Sequence, residues 1–128
     1  MLYSIFIYGS EARVAHWTPE EEEETLGRHA AFRKEWLAQA RLGPVMRLAP
    51  EIATTVRVGA RGEPLLTDGP FAESKEQLMG LYTLECASLD EAIATVKRLN
   101  FDSGVFEIRP VTWLDPGVLP AQMPPDET

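Results

Sequence analysis

The chain has 128 residues, with 12 Lys plus Arg against 20 Asp plus Glu, a net charge of −8 and one cysteine, Cys86. Its 45% hydrophobic and 25% charged residues fit one globular domain and exclude a disordered chain, a collagen-like repeat or a coiled coil; a chain of this size buries roughly two-thirds of its unfolded surface without metal or disulfide staples. The acidic balance disfavours nucleic acid, and neither a signal segment nor a membrane-length apolar run of about 20 residues is expected, which places the chain in the cytoplasm.

Leu2 to Tyr8, LYSIFIY, is β-branched and aromatic, and Gly9-Ser10 closes it like a turn. The spacing predicts a first strand that is apolar on both faces and therefore needs cover on both. A helix is expected to start at Thr18-Pro19-Glu20-Glu21, where Thr18 caps, Pro19 takes the first helical position and Glu21 completes a capping box. The Glu20 to Glu24 run reads as an interaction patch or as a solvated first turn that suits the helix dipole. Thr25, His29, Phe32, Trp36 and Gln39 or Ala40 recur at spacings of three and four, one helical stripe. Gly43-Pro44 should stop the helix.

A short strand is expected over Val45 to Leu48, then a hairpin of Thr54 to Val58 and Leu65 to Thr67 around Arg61-Gly62-Glu63. Asp68-Gly69-Pro70-Phe71 suits a tight reversal, and Ser74 to Gln77 spells a capping box for one helical turn. Gln77 to Cys86 reads as a central strand in which Gly80 marks a close approach. Ser88 to Glu91 opens a second helix with Leu89, Ala92, Ile93, Val96 and Leu99 on its apolar stripe, ending near Asn100. Val105 to Trp113 is the last strand, with Pro110 requiring an edge or a bulge. The domain is expected to span residues 1–113, and the Pro-rich residues 114–128 to form an extended tail.

Strand, helix, one or two strands, helix, strand is the order of an α+β, ferredoxin-like split βαβ fold, with both helices on one face of an antiparallel sheet. Two helices leave the other face bare, which predicts a homodimer with its sheets face to face.

Thr54 to Val58, the block Thr67-Asp68-Gly69-Pro70-Phe71-Ala72-Glu73-Ser74-Lys75-Glu76-Gln77-Leu78, and Glu107-Ile108-Arg109-Pro110-Val111 closely resemble the YCII-related or DGPF-domain family. The resemblance runs from about Met1 to Val111 and implies a bacterial protein built as a dimeric α+β barrel of ferredoxin-like subunits, without a particular reaction. Bacterial members often resemble proteins encoded beside extracytoplasmic-function sigma factors. In the shorter YCII-like branch a helix-one histidine and an aspartate near the end of helix two form a candidate site; His29 matches that histidine, whereas the aspartate position falls on Arg98. Asp68 of the DGPF block is the carboxylate left to partner His29.

A neutral imidazole at His29 can move a proton near neutral pH; the same place also suits a core-edge histidine packed on Phe32 or Trp36. Asp68 reads as its orienting carboxylate or as a turn-fixing aspartate, and Lys75 adds charge beside that turn as one wall of a pocket. Arg109 and Arg57 can hold a carboxylate or phosphate, or Arg109 and Glu107 can belong to an ion pair. Tyr8, Tyr82 and Trp113 line an aromatic cavity or simply fill core. His16 and His29, thirteen residues apart with one cysteine, give no zinc spacing, and no phosphate loop, nucleophile elbow, repeat or basic run occurs. The reading is a homodimeric small-molecule-binding protein or cofactor-independent proton-transfer enzyme, with its cleft near His29, Asp68 and Arg109. The competing reading is a non-catalytic interaction protein, an accessory of a sigma factor, that uses the acidic face or the tail.

Overall fold

The computed structural model describes residues 1–9, 17–49, 52–69, 77–99 and 104–122. Strand β1, Leu2–Gly9, alternates as its residues dictate: Tyr3, Ile5 and Ile7 are buried, while Leu2, Ser4, Phe6 and Tyr8 are half-buried on the opposite face. Helix α1, Pro19–Ala38, begins as expected, with the Thr18 hydroxyl accepting from the Glu21 amide at 3.1 Å. That bond satisfies one of the free N–H groups of the first turn. His29, Phe32 and Trp36 are its buried stripe.

The helix ends at Gln39, and Ala40 turns the chain at a φ of 55°. Gly43-Pro44 therefore lie beyond the helix, inside strand β2, Leu42–Arg47, which starts before the expected Val45. A register slip between Leu42 and Val45 lets Pro44, which has no N–H to give, sit in this edge strand. Strands β3, Thr54–Val58, and β4, Pro64–Asp68, form the hairpin as a separate two-stranded ribbon, with Gly62 in the left-handed region at φ 82°. The expected helical turn at Ser74 to Gln77 falls largely on residues 70–76, outside the described residues, and Gln77 itself opens strand β5, Gln77–Glu85. A Cβ on Gly80 would stand 2.5 Å from the Met46 carbonyl oxygen, the close approach that the glycine permits.

Helix α2, Leu89–Leu99, is capped by the Ser88 hydroxyl, which accepts from the Glu91 amide at 3.2 Å. Its buried face is Ala92, Thr95, Val96 and Leu99, so Leu89 and Ile93 of the expected stripe stay largely outside. Thr95 can be buried because its hydroxyl donates to the Glu91 carbonyl at 2.7 Å. Strand β6 is Val105–Pro110 and stops short of Trp113. The ladder with β1 closes at Tyr3–Pro110, followed by the Val111 amide donating to the Leu2 carbonyl at 2.9 Å.

The four-stranded antiparallel sheet has the order β2-β5-β1-β6. With α1 and α2 on one face, this is the ferredoxin-like α+β arrangement, and the core of Ile5, Leu84, Trp36, Cys86, Ala92 and Leu99 lies between helices and sheet. Pro110 is in edge strand β6, where its missing donor is not needed. The other sheet face carries Phe6, Tyr8, Leu81, Met46, Leu78 and Val105, the last three 49%, 36% and 45% exposed. Residues 111–122 contain neither helix nor strand, and Trp113 is 79% exposed. Among the described residues no helix is long and apolar enough to cross a membrane.

Candidate functional site

His29 stands in the middle of α1 on the stripe that faces the sheet, and Tyr82 stands on the helix-facing side of β5, across from Ile5. The two meet in the buried layer. Nδ1 of His29 lies 2.5 Å from the Tyr82 hydroxyl oxygen, and the rings are stacked within 4° of parallel, with centroids 5.7 Å apart. Phe32 presents its edge to Tyr82 at 5.3 Å, and Trp36 follows at 5.4 Å from Phe32. The polar pair is thus walled by aromatic rings.

Burial sets the electrostatics. It disfavours the imidazolium, with the Arg33 and Arg28 guanidinium groups adding repulsion, and the His29 pKa is pushed down to about 4. The ring is therefore neutral near pH 7. Burial likewise pushes the Tyr82 phenol up from its ordinary value, against the opposing pull of a hydrogen bond and charge from Arg33. Arg33 is half-buried, one helical turn beyond His29 on the same side of α1.

The remaining candidates lie elsewhere. Asp68 is exposed at the end of β4, opposite Thr54, in the separate ribbon. Among the described residues its carboxylate has no side-chain partner, and the oxygen at His29 Nδ1 belongs to Tyr82. The expected reversal over Asp68 to Phe71 continues outside the described residues; next to Asp68, the Gly69 amide donates to the Ala53 carbonyl at 2.7 Å, and the Thr55 hydroxyl donates to the Gly69 carbonyl at 2.7 Å. Arg57 is exposed on the same ribbon, across from Leu65. Arg109 is on edge strand β6 of the other sheet, where its Nε donates to Glu107 at 3.1 Å and its guanidinium lies 5.8 Å from the Phe6 ring centroid. The Arg109–Glu107 ion pair thus runs along one strand, and Arg57 and Arg109 stand on two different sheets. Tyr8 lies on the open sheet face, whereas Tyr82 faces the helices and Trp113 is exposed, so the three rings do not share a cavity. Lys75 is outside the described residues. Arg98, at the aspartate position of the shorter branch, pairs with Glu35 of α1 at 3.1 Å.

Sequence reasoning found His29 but missed Arg33 and the pairing with Tyr82. The i, i+4 spacing of His29 and Arg33 was a readable signal. Tyr82 lay in a run apolar on both faces, so alternation did not say which side it faced. Among the described residues no group of three or more His, Cys, Asp or Glu is placed to hold a metal ion.

A ferredoxin-like α+β protein with one buried imidazole–phenol pair between α1 and β5 is what the fold and this geometry define. The family model for the YCII-related domain matches residues 1–115. The chain is also 40% identical over 124 residues, 94% of its length and 100% of the relative's, to an uncharacterised protein of Rhizobium meliloti (strain 1021). The chain belongs to the YCII-related family.

Proposed function

We propose that this chain is a homodimeric small-molecule-binding protein that moves a proton at His29 without a cofactor. The observation that carries this reading is the 2.5 Å contact between His29 Nδ1 and the Tyr82 hydroxyl inside the helix–sheet layer. A tyrosine bonded to one ring nitrogen orients the imidazole and fixes its tautomer. In the reaction a substrate X–H bond breaks, its electron pair stays on the substrate, and the proton passes to the imidazole. The imidazolium then returns that proton to a different substrate atom, so the net change is an isomerisation that consumes nothing. Because its pKa lies well below neutrality, the imidazolium is a strong acid and gives the proton back readily.

The homodimer covers the second sheet face. Phe6, Leu81, Met46, Leu78 and Val105 form an apolar surface on a four-stranded sheet, the kind of patch that marks an association site. Sedimentation equilibrium at micromolar concentration should return twice the chain mass, and a one-chain mass would contradict the dimer. The site itself is tested by thermal shift with a panel of small polar and aromatic metabolites. Compounds that raise the melting temperature of the wild type should lose that effect in His29→Gln and Tyr82→Phe; retention in both variants would remove the site.

The exposure of Val56, Val58 and Leu66 on one face of the ribbon, 55%, 66% and 68%, and of Trp113 at 79% favours a second reading, a non-catalytic interaction protein. A pulldown that survives His29→Ala and fails after deletion beyond Leu114 would support it.

A further inference from the structure

The β3–β4 ribbon carries exposed apolar side chains on both faces. Val56 pairs with Leu66 and Val58 with Pro64, which puts these four on one face, and Leu65 lies on the other, across from Arg57. Val56, Val58, Leu65 and Leu66 are each more than half exposed, so the chain's own body does not cover them. A two-stranded hairpin alone is marginally stable in water, and this one therefore calls for a surface to lie on. Its apolar surface continues that of the main sheet. On the open sheet face Leu78, Tyr8 and Val105 form one cross-strand row and Met46, Leu81 and Phe6 the next, both at the end where β2 leaves for the ribbon and β5 returns from it. The row beyond, Thr83, Ser4 and Arg109, is polar. Between β2 and the ribbon, Leu48 and Ile52 are exposed as well, Ile52 at 82%. We propose that the ribbon is an arm of the homodimer, which reaches past its own sheet and lays its Val56, Val58 and Leu66 face against the apolar end of the second copy's open sheet.

This inference rests on the homodimer proposed above and names the element that completes it. Area requires such an element. Four strands of six to nine residues give a sheet footprint of roughly 450 Å² at ordinary strand spacing and rise, and one end of it alone is apolar. A specific interface takes about 800 Å² from each partner. The arm has the reach to supply the difference: its strands of five residues extend about 17 Å, beyond the spacing of about 10 Å between two packed sheets. Charge also favours a second copy as the occupant. Arg57 and Arg61 offset Glu63 and Asp68, so the ribbon is neutral within a chain of net charge −8, and two acidic copies repel each other least there.

An equal mixture of carbon-13-labelled and unlabelled full-length chains tests the arm, because isotope-filtered NOE spectra of the mixture report contacts between copies alone. The expected result is cross-peaks from the methyl groups of Val56, Val58 or Leu66 to Met46, Leu78 or Val105 of the other copy. Sedimentation equilibrium of the wild type and of the double variant Val56→Asp, Leu66→Asp reads the energetic side. The double variant should keep the far-ultraviolet spectrum of the wild type and raise the dimer dissociation constant by a factor of about 100 or more, as withdrawing two apolar side chains per arm from a buried surface requires. Should it fail to fold, the NOE result alone decides. Cross-peaks between copies confined to the two sheet faces, or a double variant that dimerises as tightly as the wild type, overturn the arm and leave the sheet-to-sheet dimer standing. Ribbon methyl groups that contact only their own chain, or neither copy and so remain open to a different protein, overturn it as well. A one-chain mass for the wild type removes the dimer and the arm together.

Discussion

Nδ1 of His29 and the hydroxyl oxygen of Tyr82, 53 positions apart in the sequence, are 2.5 Å apart in the fold. The contact ties the middle of α1 to the central strand β5. Replacing Tyr82 by Phe keeps the ring that stacks on His29 and removes the oxygen, so a buried imidazole loses its partner at a cost of about 1 to 3 kcal/mol. Urea unfolding should show that loss. In the double variant with His29→Phe the two losses should fall short of additive, because one bond is being removed twice.

The depressed pKa of His29 makes a signed prediction about acid stability. The unfolded histidine takes up its proton near pH 6.5, while the folded one waits until about pH 4. Between these values the unfolded state binds more protons, so stability falls as the pH drops through this window and levels off below it. The full effect is about 3 kcal/mol, from the usual free energy per pKa unit. Unfolding free energies of the wild type and His29→Gln, measured from pH 7.5 to 4, should converge as the pH falls. Parallel curves would mean that His29 binds its proton in the folded protein as it does in the unfolded chain.

Much of this architecture was legible in the sequence, for physical reasons that differ from element to element. Thr18-Pro19 and Ser88 announce both helix starts because the caps are local chemistry, and Thr54 to Val58 matches β3 residue for residue. Elements set by tertiary context were less readable. Pro44 sits inside β2 because a bulge in its pairing with β5 absorbs it, and the β6 ladder with β1 closes at the Tyr3–Pro110 pair. The site was half-legible in the same sense. His29 showed itself through helical periodicity, but its partner depended on which face of β5 turns toward α1, and that is decided by pairing with β1 and not by the apolar run itself.

Gly80 is held against β2, where any side chain would meet the Met46 carbonyl at 2.5 Å. The neighbour is backbone, which has no rotamer to escape into. Gly80→Ala should therefore cost about 1 to 3 kcal/mol, as overpacking does, and hydrogen exchange should show the β2 amides losing protection before those of β1. Unchanged stability would show that β2 can move away without loss.

Arg41 sits between α1 and β2, beside the last residue of β5. Its guanidinium lies 4.1 Å from the Trp36 ring centroid, its Nε donates to the Glu85 carbonyl at 3.0 Å, and it pairs with Glu91, which also accepts from the Ala87 amide at 2.9 Å. Glu91→Ala should lower stability by about 1 to 2 kcal/mol, mostly through the lost acceptor beside the α2 cap. The Arg41–Glu91 coupling from a double-mutant cycle should stay below about 1 kcal/mol, since both side chains remain partly in water.

Cys86, at 1% exposure, is packed in the core, and burial, reinforced by Glu91, raises its thiol pKa. A disulfide reagent at pH 8 should react with it at the rate of unfolding, and much faster once urea is added. Immediate reaction in buffer would place the thiol at the surface.

Proton transfer at His29 is tested most directly by deuterium exchange. A compound that the thermal-shift panel identifies as a ligand is incubated in D2O with catalytic amounts of the wild type or of His29→Gln, and its C–H signals are followed by proton NMR. Wild type should wash deuterium into one position of the bound compound, and His29→Gln should do so about 100-fold more slowly or worse, the usual cost of losing a general base. Exchange at the buffer rate with the wild type, or equal exchange with both proteins, would contradict a proton-transfer role for His29.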